Sequence, residues 1–467
     1  MIEESETSEL LDFNEAMAIL GVSRPTLYRW LHQHRVRAYK VGKQWRFQRE
    51  DLDAVLQESS ADSDRDRSDL EALAKSLDVP LASGDLGRAA SEALIAAAVD
   101  RGATDIHLDP TEDGGCRVRL REEGLLSTAG LLGPGAARAL REALALWAGG
   151  PSSARSWLGR ITLSMDDRRV EVRVNQLPTV LGDQLTLKVL DRKRVSVGLD
   201  RIFQSPADRA LADRLMGTAY GLVLVSGPTG SGKTTTAYAM LQALAARDLA
   251  VYSLEEPVEM LLTGDGEAGV TQVQVEPDEG LSYPAALRRV MHGDPDVVFL
   301  ADVPDRETAR AACKAATTGH LVLVQLEASS AADAVDVFTR EAGDARLVGS
   351  CFAGVINQRL LRRVCPDCHG AVKVSAAALA KVGLVAEEDV AAAQAVGCER
   401  CVGGYRGRLP IYEFLLPDDA VLDRVSQGDI AALATSPSLR DAALERLKGG
   451  EITVEEVRRV LILPADG

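Results

Sequence analysis

The residues Gly227, Pro228, Thr229, Gly230, Ser231, Gly232, Lys233 and Thr234 fit the pattern G-x-x-x-x-G-K-[ST]. Loops of this kind bind nucleotide phosphates. Their glycines let main-chain N–H groups turn inward around a β-phosphate. Lys233 carries a positive charge toward the β- and γ-phosphates, and Thr234, followed by Thr235, can set a hydroxyl on Mg²⁺. The chemistry needs a strand before the loop and a helix after it. The apolar run Leu222–Val225 precedes it and a helical stretch opens at Lys233, a setting that a chance match in a glycine-rich turn would lack. The expected ligand is ATP with Mg²⁺.

A second chemical signal lies in the cysteines, of which there are seven. Four of them form Cys365-Pro-Asp-Cys368 and Cys398-Glu-Arg-Cys401. In a reducing compartment such pairs point to metal rather than to disulfides. Two pairs close a tetrahedral Zn²⁺ site and leave no position for water, so the expected role is structural. Two unrelated pairs of core or redox cysteines are the alternative. Cys116, Cys313 and Cys351 read as ordinary core residues, and His369 is a spare ligand. A third signal is electrostatic. Between Arg24 and Arg49 stand eight Lys or Arg and no Asp or Glu, in a chain of net charge −16.

These groups need elements to hold them. The chain has 467 residues, enough for several domains, and 46% of them are apolar. No apolar run is long enough to span a bilayer, and the acidic start lacks the regions of a signal peptide, so a cytoplasmic protein is expected. Residues 1–8 read as an acidic tail and 9–57 as a compact domain. In that domain Asp12 and Glu15 make a capping-box start, a helix stops at Gly21, and a second helix runs from Ser23 to about His34. Val36–Val41 and Gln44–Phe47 read as a hairpin about Gly42-Lys43, with a helical turn or two at Asp51–Leu56. The polar stretch Glu58–Asp69 reads as a linker. Residues 70–198 carry an alanine-rich helix at Ser91–Gly102. Alternating segments follow at Arg117–Arg121, Arg160–Ser164, Arg169–Val174 and Gln184–Leu190, the pattern of a small α+β domain on an antiparallel sheet. From 199 to 467 the apolar strands Leu222–Val225, Val251–Leu254, Val297–Leu300 and Leu321–Val324 alternate with helices, an α/β sheet with covering helices.

Residues 82–416 resemble the ATPases of type II secretion and type IV pilus assembly. The resemblance rests on Ala103-Thr-Asp-Ile-His-Leu-Asp-Pro110, on Cys116-Arg-Val-Arg-Leu-Arg121 with Gly124, on Arg173 with Leu177-Pro-Thr-Val-Leu-Gly182, and on the phosphate loop. Ser253-Leu-Glu-Glu-Pro-Val-Glu259, Asp294-Pro-Asp-Val-Val-Phe-Leu300 and Thr318-Gly-His320 continue it, as do Gln358–Val364 and Gly403–Arg408 around the cysteines. It implies a RecA-like P-loop motor with a tetracysteine zinc insert at about 362–408. In the family, arginines of the preceding domain close over the nucleotide, so Arg117, Arg119, Arg121 and Arg173 are candidates. A row of solvated arginines is the other reading of their period of two. The resemblance also puts Glu255 and Glu259 near the γ-phosphate and its water. Departures fall on the hydrolytic groups. Ala301-Asp302 stands where the family has Gly-Glu, Pro304 replaces an arginine, and Glu327 occupies the histidine position. Asp302 is one methylene shorter than Glu, and Glu327 adds negative charge where negative charge develops. A slow ATPase and a nucleotide binder that hydrolyses little both follow.

Residues 9–57 resemble the excisionase-type winged helix-turn-helix of the family that includes mercury-response regulators. The match is carried by Gly21-Val-Ser-Arg-Pro-Thr-Leu-Tyr-Arg29, Val41-Gly42, Trp45-Arg46 and Asp51-Leu52. It implies that Arg24, Thr26, Tyr28 and Arg29 enter a major groove of double-stranded DNA while Lys40, Lys43 and Arg46 reach phosphates from a wing. A protein-docking module on the same fold is the alternative. The combined expectation is an ATP-driven motor for protein export or pilus-like assembly. It would form a ring, a hexamer by resemblance, and sit at the inner membrane through a platform partner. A nucleotide-gated DNA-binding regulator, or a catalytically degenerate subunit, is the competing reading.

Overall fold

A computed structural model describes residues 10–32, 36–41, 44–82, 84–150, 156–165, 168–191, 198–262, 269–430, 433, 435 and 437–461. The expected acidic tail at 1–8, the hairpin turn Gly42-Lys43 with the wing candidate Lys43, and His34 lie outside these residues. Among the described residues no helix is long and apolar enough to cross a membrane. The chain divides into two units. One holds 10–121, 125–162 and 171–189, and the other holds 122–124, 163–170 and everything from 190 onward.

The first unit begins with a small helical domain. Asp12 accepts from the amides of Asn14 and Glu15, and Glu15 answers the Asp12 amide, so the expected capping box starts the helix Phe13–Leu20. Gly21 ends that helix at φ 64°, a left-handed cap that favours glycine. The helix Arg24–His32 follows, and then the antiparallel strands Tyr39–Val41 and Gln44–Gln48. Ala16, Leu20, Leu27, Val36, Phe47, Leu52 and Val55 form one core under them.

The polar stretch expected as a linker is helical. It lies inside a single helix, Arg49–Ser76. The stretch has no Gly or Pro, and Arg67 pairs with Glu71 one turn on at 3.0 Å. Two of its acids also have long-range partners. The helix Pro134–Trp147 starts after Gly133, which has no side chain to cap it. Asp69 accepts from the Gly133 amide at 2.8 Å and Asp66 from the Ala136 amide at 2.9 Å. One helix thus supplies the cap that the other lacks.

The rest of this unit is a six-stranded sheet. Its order is Leu125–Leu132, Cys116–Glu122, Asp105–Pro110, Gly182–Asp191, Arg168–Thr179, Trp157–Met165. Ile106, Leu108, Val118, Leu120, Leu185 and Leu187 are buried on one face, and the helices Leu86–Arg101 and Pro134–Trp147 pack together.

The second unit is built on seven strands. Their order is Thr271–Gln274, Val251–Glu255, Val297–Leu300, Leu321–Leu326, Gly221–Ser226, Phe352–Val364, Tyr405–Leu415. Every neighbouring pair is parallel except the last, which is antiparallel. The four expected strands are present. The long final hairpin and the edge strand Thr271–Gln274 are additions. The strand Gly221–Ser226 shows why the runs are apolar throughout, because Leu222 and Leu224 face one core while Val223 and Val225 face another.

Replacing both Asp66 and Asp69 by Ala should destabilise the first unit by about 1–3 kcal/mol, the loss of two helix-start acceptors. All four tryptophans, Trp30, Trp45, Trp147 and Trp157, belong to that unit, so a urea curve read by tryptophan fluorescence isolates it. Superimposable curves for the variant and the parent would discard the cap.

Candidate functional site

The phosphate loop is shaped by its neighbours. Gly227 has φ 148°, Gly230 76° and Gly232 90°, all in the region open to glycine. At Gly227 a Cβ would also stand 2.5 Å from the main-chain oxygen of Gln358. The Gln358 side chain donates to the Ser231 carbonyl at 2.7 Å, and Asn357 donates to the Ser226 hydroxyl at 2.8 Å. The strand Phe352–Val364 therefore braces both ends of the loop. Lys233 opens the helix Lys233–Ala245 and is buried. Its Nζ donates to the carbonyls of Gly227 at 3.0 Å and Pro228 at 3.1 Å. Burial pulls the Lys233 ammonium below the usual lysine range, and the Glu327 carboxylate opposes that shift.

Beside the loop lies a cleft of about 310 Å³. Lys233, Thr234, Glu255, Glu259, Asp302 and Glu327 all line it. Their environments differ. Glu255 is buried and its oxygens are engaged by Ser253 Oγ at 2.6 Å, Gln272 Nε2 at 3.0 Å and the Tyr238 hydroxyl. It is a fixed hub of negative charge. Asp302 is exposed, and its Oδ1 accepts from the Val303 amide at 2.8 Å. Glu327 Oε1 accepts from Thr229 Oγ1 at 2.5 Å and lies 3.9 Å from Lys233 Nζ. It occupies the space in front of the lysine. Thr234 Oγ1 donates to Gln325 Oε1 at 3.3 Å. Oxygen donors of this kind suit a hard cation such as Mg²⁺. Gln325, Gln358 and Tyr283 are site residues that the motif reading missed. Only their position on the neighbouring strands and helix brings them here.

The four paired cysteines converge. The sulfurs of Cys365, Cys368, Cys398 and Cys401 lie within 4.8 Å of one another. Cys365–Cys398 is 3.9 Å, Cys368–Cys401 3.7 Å and Cys398–Cys401 3.7 Å. These are far beyond the roughly 2.05 Å of a disulfide. The cluster sits where the last two strands of the second sheet leave it, because Cys365 follows Val364 and donates its amide to the Gly404 carbonyl at 2.8 Å. Cys116, Cys313 and Cys351 are buried elsewhere, as expected.

The arginine candidates sit in the first unit's sheet. Antiparallel register sets Asp105 opposite Arg121, His107 opposite Arg119 and Asp109 opposite Arg117. Arg119 bonds Asp109 at 2.5 Å, Arg121 lies 3.5 Å from Asp105, and Arg173 lies 3.4 Å from Glu171. Arg117 is exposed. Three of the four arginines therefore have acids of their own sheet beside them.

In the N-terminal domain, Arg24, Tyr28, Arg29 and Lys40 are exposed and Thr26 is half-buried. Arg24 and Tyr28 both rest on Phe13, at 5.4 Å and 4.7 Å from its ring centre. Thr26 shares a hydrogen bond of 2.8 Å with Ser23. The hairpin register pairs Tyr39 with Arg46 and Lys40 with Trp45, which puts Lys40 and Arg46 on opposite faces of the hairpin.

Comparison with known proteins identifies two families in the chain. A profile of the family described as "Type II/IV secretion system protein" matches residues 84–459, and one described as "Helix-turn-helix domain" matches residues 10–60. A type II secretion system ATPase E of Vibrio cholerae is 32% identical over 396 residues, 79% of this chain and 74% of that protein. A type II secretion system protein E of Pseudomonas aeruginosa is 37% identical over 309 residues, 65% of this chain and 61% of that protein. The chain thus spans less than two thirds of the latter's length. Among solved structures, the Legionella pneumophila ATPase DotB superposes with a TM-score of 0.58 at 17% identity, over 79% of this chain and 94% of that one. The pilus retraction motor PilT with bound ADP gives 0.54 at 22% identity, over 78% and 94%. These likenesses establish the RecA-like secretion-ATPase fold.

Proposed function

We propose, from the premise that the chain belongs to the Type II/IV secretion system protein family, that it binds and slowly hydrolyses Mg-ATP to drive protein export or pilus-like assembly. The observation that carries this is the braced phosphate loop facing an acid-lined cleft. Main-chain N–H groups and Lys233 would hold the β- and γ-phosphates once Lys233 releases the loop carbonyls. Mg²⁺ supplies charge neutralisation on the phosphates, and Thr234 with the nearby acids would hold it. Asp302 would accept the proton of the attacking water. Glu327 works against the reaction, since its charge faces the growing negative charge of the transition state. The protein would work in the cytoplasm as a ring, a hexamer by resemblance, and dock on a membrane platform protein. Arg117, Arg119, Arg121 and Arg173 are proposed as nucleotide contacts, the last three exchanging their acids for phosphate.

The cysteine cluster is proposed as a structural zinc site. A Zn–S bond of about 2.3 Å at tetrahedral angles sets sulfurs about 3.8 Å apart, and the three separations printed above bracket that value. A second reading concerns the N-terminal domain. Its helix-turn-helix match and its exposed Arg24, Tyr28 and Arg29 favour binding of double-stranded DNA, which would make the chain a nucleotide-gated regulator. A catalytically degenerate subunit is the outcome if turnover is absent.

Purified protein should release phosphate from Mg-ATP, and Lys233→Ala should remove both the release and the binding of a fluorescent ATP analogue. Asp302→Glu with Glu327→His should raise turnover by about tenfold or more, a barrier change of about 1.4 kcal/mol. A wild type that neither binds nor hydrolyses ATP sinks the motor reading. Metal analysis should find one zinc per chain, lost in Cys365→Ser together with a lower melting temperature. An intact Cys365→Ser protein with unchanged metal content would remove the zinc assignment. Full-length protein should retard a DNA duplex at low salt, and Arg24→Ala with Arg29→Ala should abolish the shift. No shift for the wild type leaves the domain as a protein-docking module.

A further inference from the structure

We infer that the Tyr283 hydroxyl is a water-positioning group, and that with Asp302 it holds the nucleophile for attack on the γ-phosphate. The inference rests on the reading of the cleft as an ATP-hydrolysing site and adds a residue that the motifs do not name.

Tyr283 begins the helix Tyr283–Val290. Its side chain is 2% exposed and belongs to the core that includes Leu254, Leu287 and Leu300. Its hydroxyl, however, is buried with no hydrogen-bond partner, in a residue that lines the cleft with Lys233, Thr234 and Asp302. A buried, unpaired hydroxyl is destabilising, and phenylalanine would fill the same space without that cost. Packing therefore accounts for the ring but not for the oxygen. The carboxylates of Glu255, Glu256 and Asp302 line the same cleft. Burial first, then those negative charges, push the pKa of the Tyr283 hydroxyl up, so it stays protonated and is a donor.

A donor beside an acceptor is what one water molecule needs. The water would accept from Tyr283 and donate to Asp302. Its oxygen would then bond to the γ-phosphorus as the bond to the bridging oxygen breaks. ADP leaves with the electron pair, and the water proton passes to Asp302 and on to the released phosphate. Tyr283 keeps its own proton throughout. Two anchors compensate for the reach that Asp302 lacks.

The test is Mg-ATP turnover by the full-length chain with Tyr283→Phe. The expected result is a fall in kcat of about tenfold or more, with KM and fluorescent-ATP affinity unchanged and the melting temperature equal to or above that of the wild type. Adding Asp302→Glu to Tyr283→Phe should recover part of the lost rate. Two outcomes overturn the inference alone while the wild type turns over. In one, the Phe variant matches the wild type. In the other, it loses ATP affinity and thermal stability together, the mark of a packing role. A wild type that binds ATP and releases no phosphate removes the hydrolysis reading and this inference with it.

Discussion

Gly227 carries no side chain because the main-chain oxygen of Gln358 stands where one would begin. Much of the second unit depends on that close approach. It lets the loop lie against the strand Phe352–Val364, and the Gln358 side chain then ties down Ser231. A loop with several glycines would otherwise lose much entropy on ordering. Here the neighbouring strand holds it in advance, so less of the phosphate-binding energy goes into shaping the loop. The bracing strand is itself braced. Its antiparallel partner Tyr405–Leu415 bonds outward through Tyr412, which donates to the Ile202 carbonyl at 3.0 Å, and through Glu413, which accepts from the Ala331 amide at 3.2 Å.

Polar residues buried along this strand follow the same logic. Arg359 donates to Asn357 Oδ1 at 3.1 Å and to the Gln358 carbonyl at 2.9 Å. Arg362 pairs with Glu456 at 2.7 Å and lies over the Tyr405 ring at 3.9 Å. Burial works against the Glu456 charge, yet hydrogen bonds from Arg459 and Arg362 hold its carboxyl below the usual range. Ion pairs of this kind add little over well-packed apolar residues, but losing one partner strands the other in the interior. They fix which surfaces meet, and here they seat the C-terminal helix Val454–Leu461 on the strand that leads to the cysteines.

Sequence alone is most informative where chemistry demands fixed spacing. Gly227–Thr234, the two cysteine pairs and the Asp12–Glu15 box are local patterns, and each can be recognised without knowing what surrounds it. It is least informative where the partner is distant. Glu58–Asp69 looks like a linker because Asp66 and Asp69 find their amides on a helix about 70 residues further on. The strand Phe352–Val364 hides its nature behind Arg359 and Arg362, whose burial makes sense only with Asn357 and the Gln358 carbonyl beside the first and Glu456 beside the second. Glu255 shows a subtler limit. It lines the cleft, but Tyr238, Ser253 and Gln272, which occupy its oxygens, are invisible to the motif. Tyr283 looks like one more apolar position on a helix, and its unpaired oxygen appears only once the core has closed around the ring.

The strand Phe352–Val364 has one further property, which is its length. Gln358 touches the phosphate loop and Cys365 follows the strand's last residue, seven positions on. At about 3.3 Å per residue the two lie about 23 Å apart along the strand, whose register shifts between Arg362 and Val364. A span of that length magnifies angle into distance. A tilt of about three degrees at Gln358 carries Cys365 through about 1 Å, more than enough to break or make a hydrogen bond. The cysteine end of the strand therefore lies far enough from the glycine end for a small change of angle at one to become a change of distance at the other.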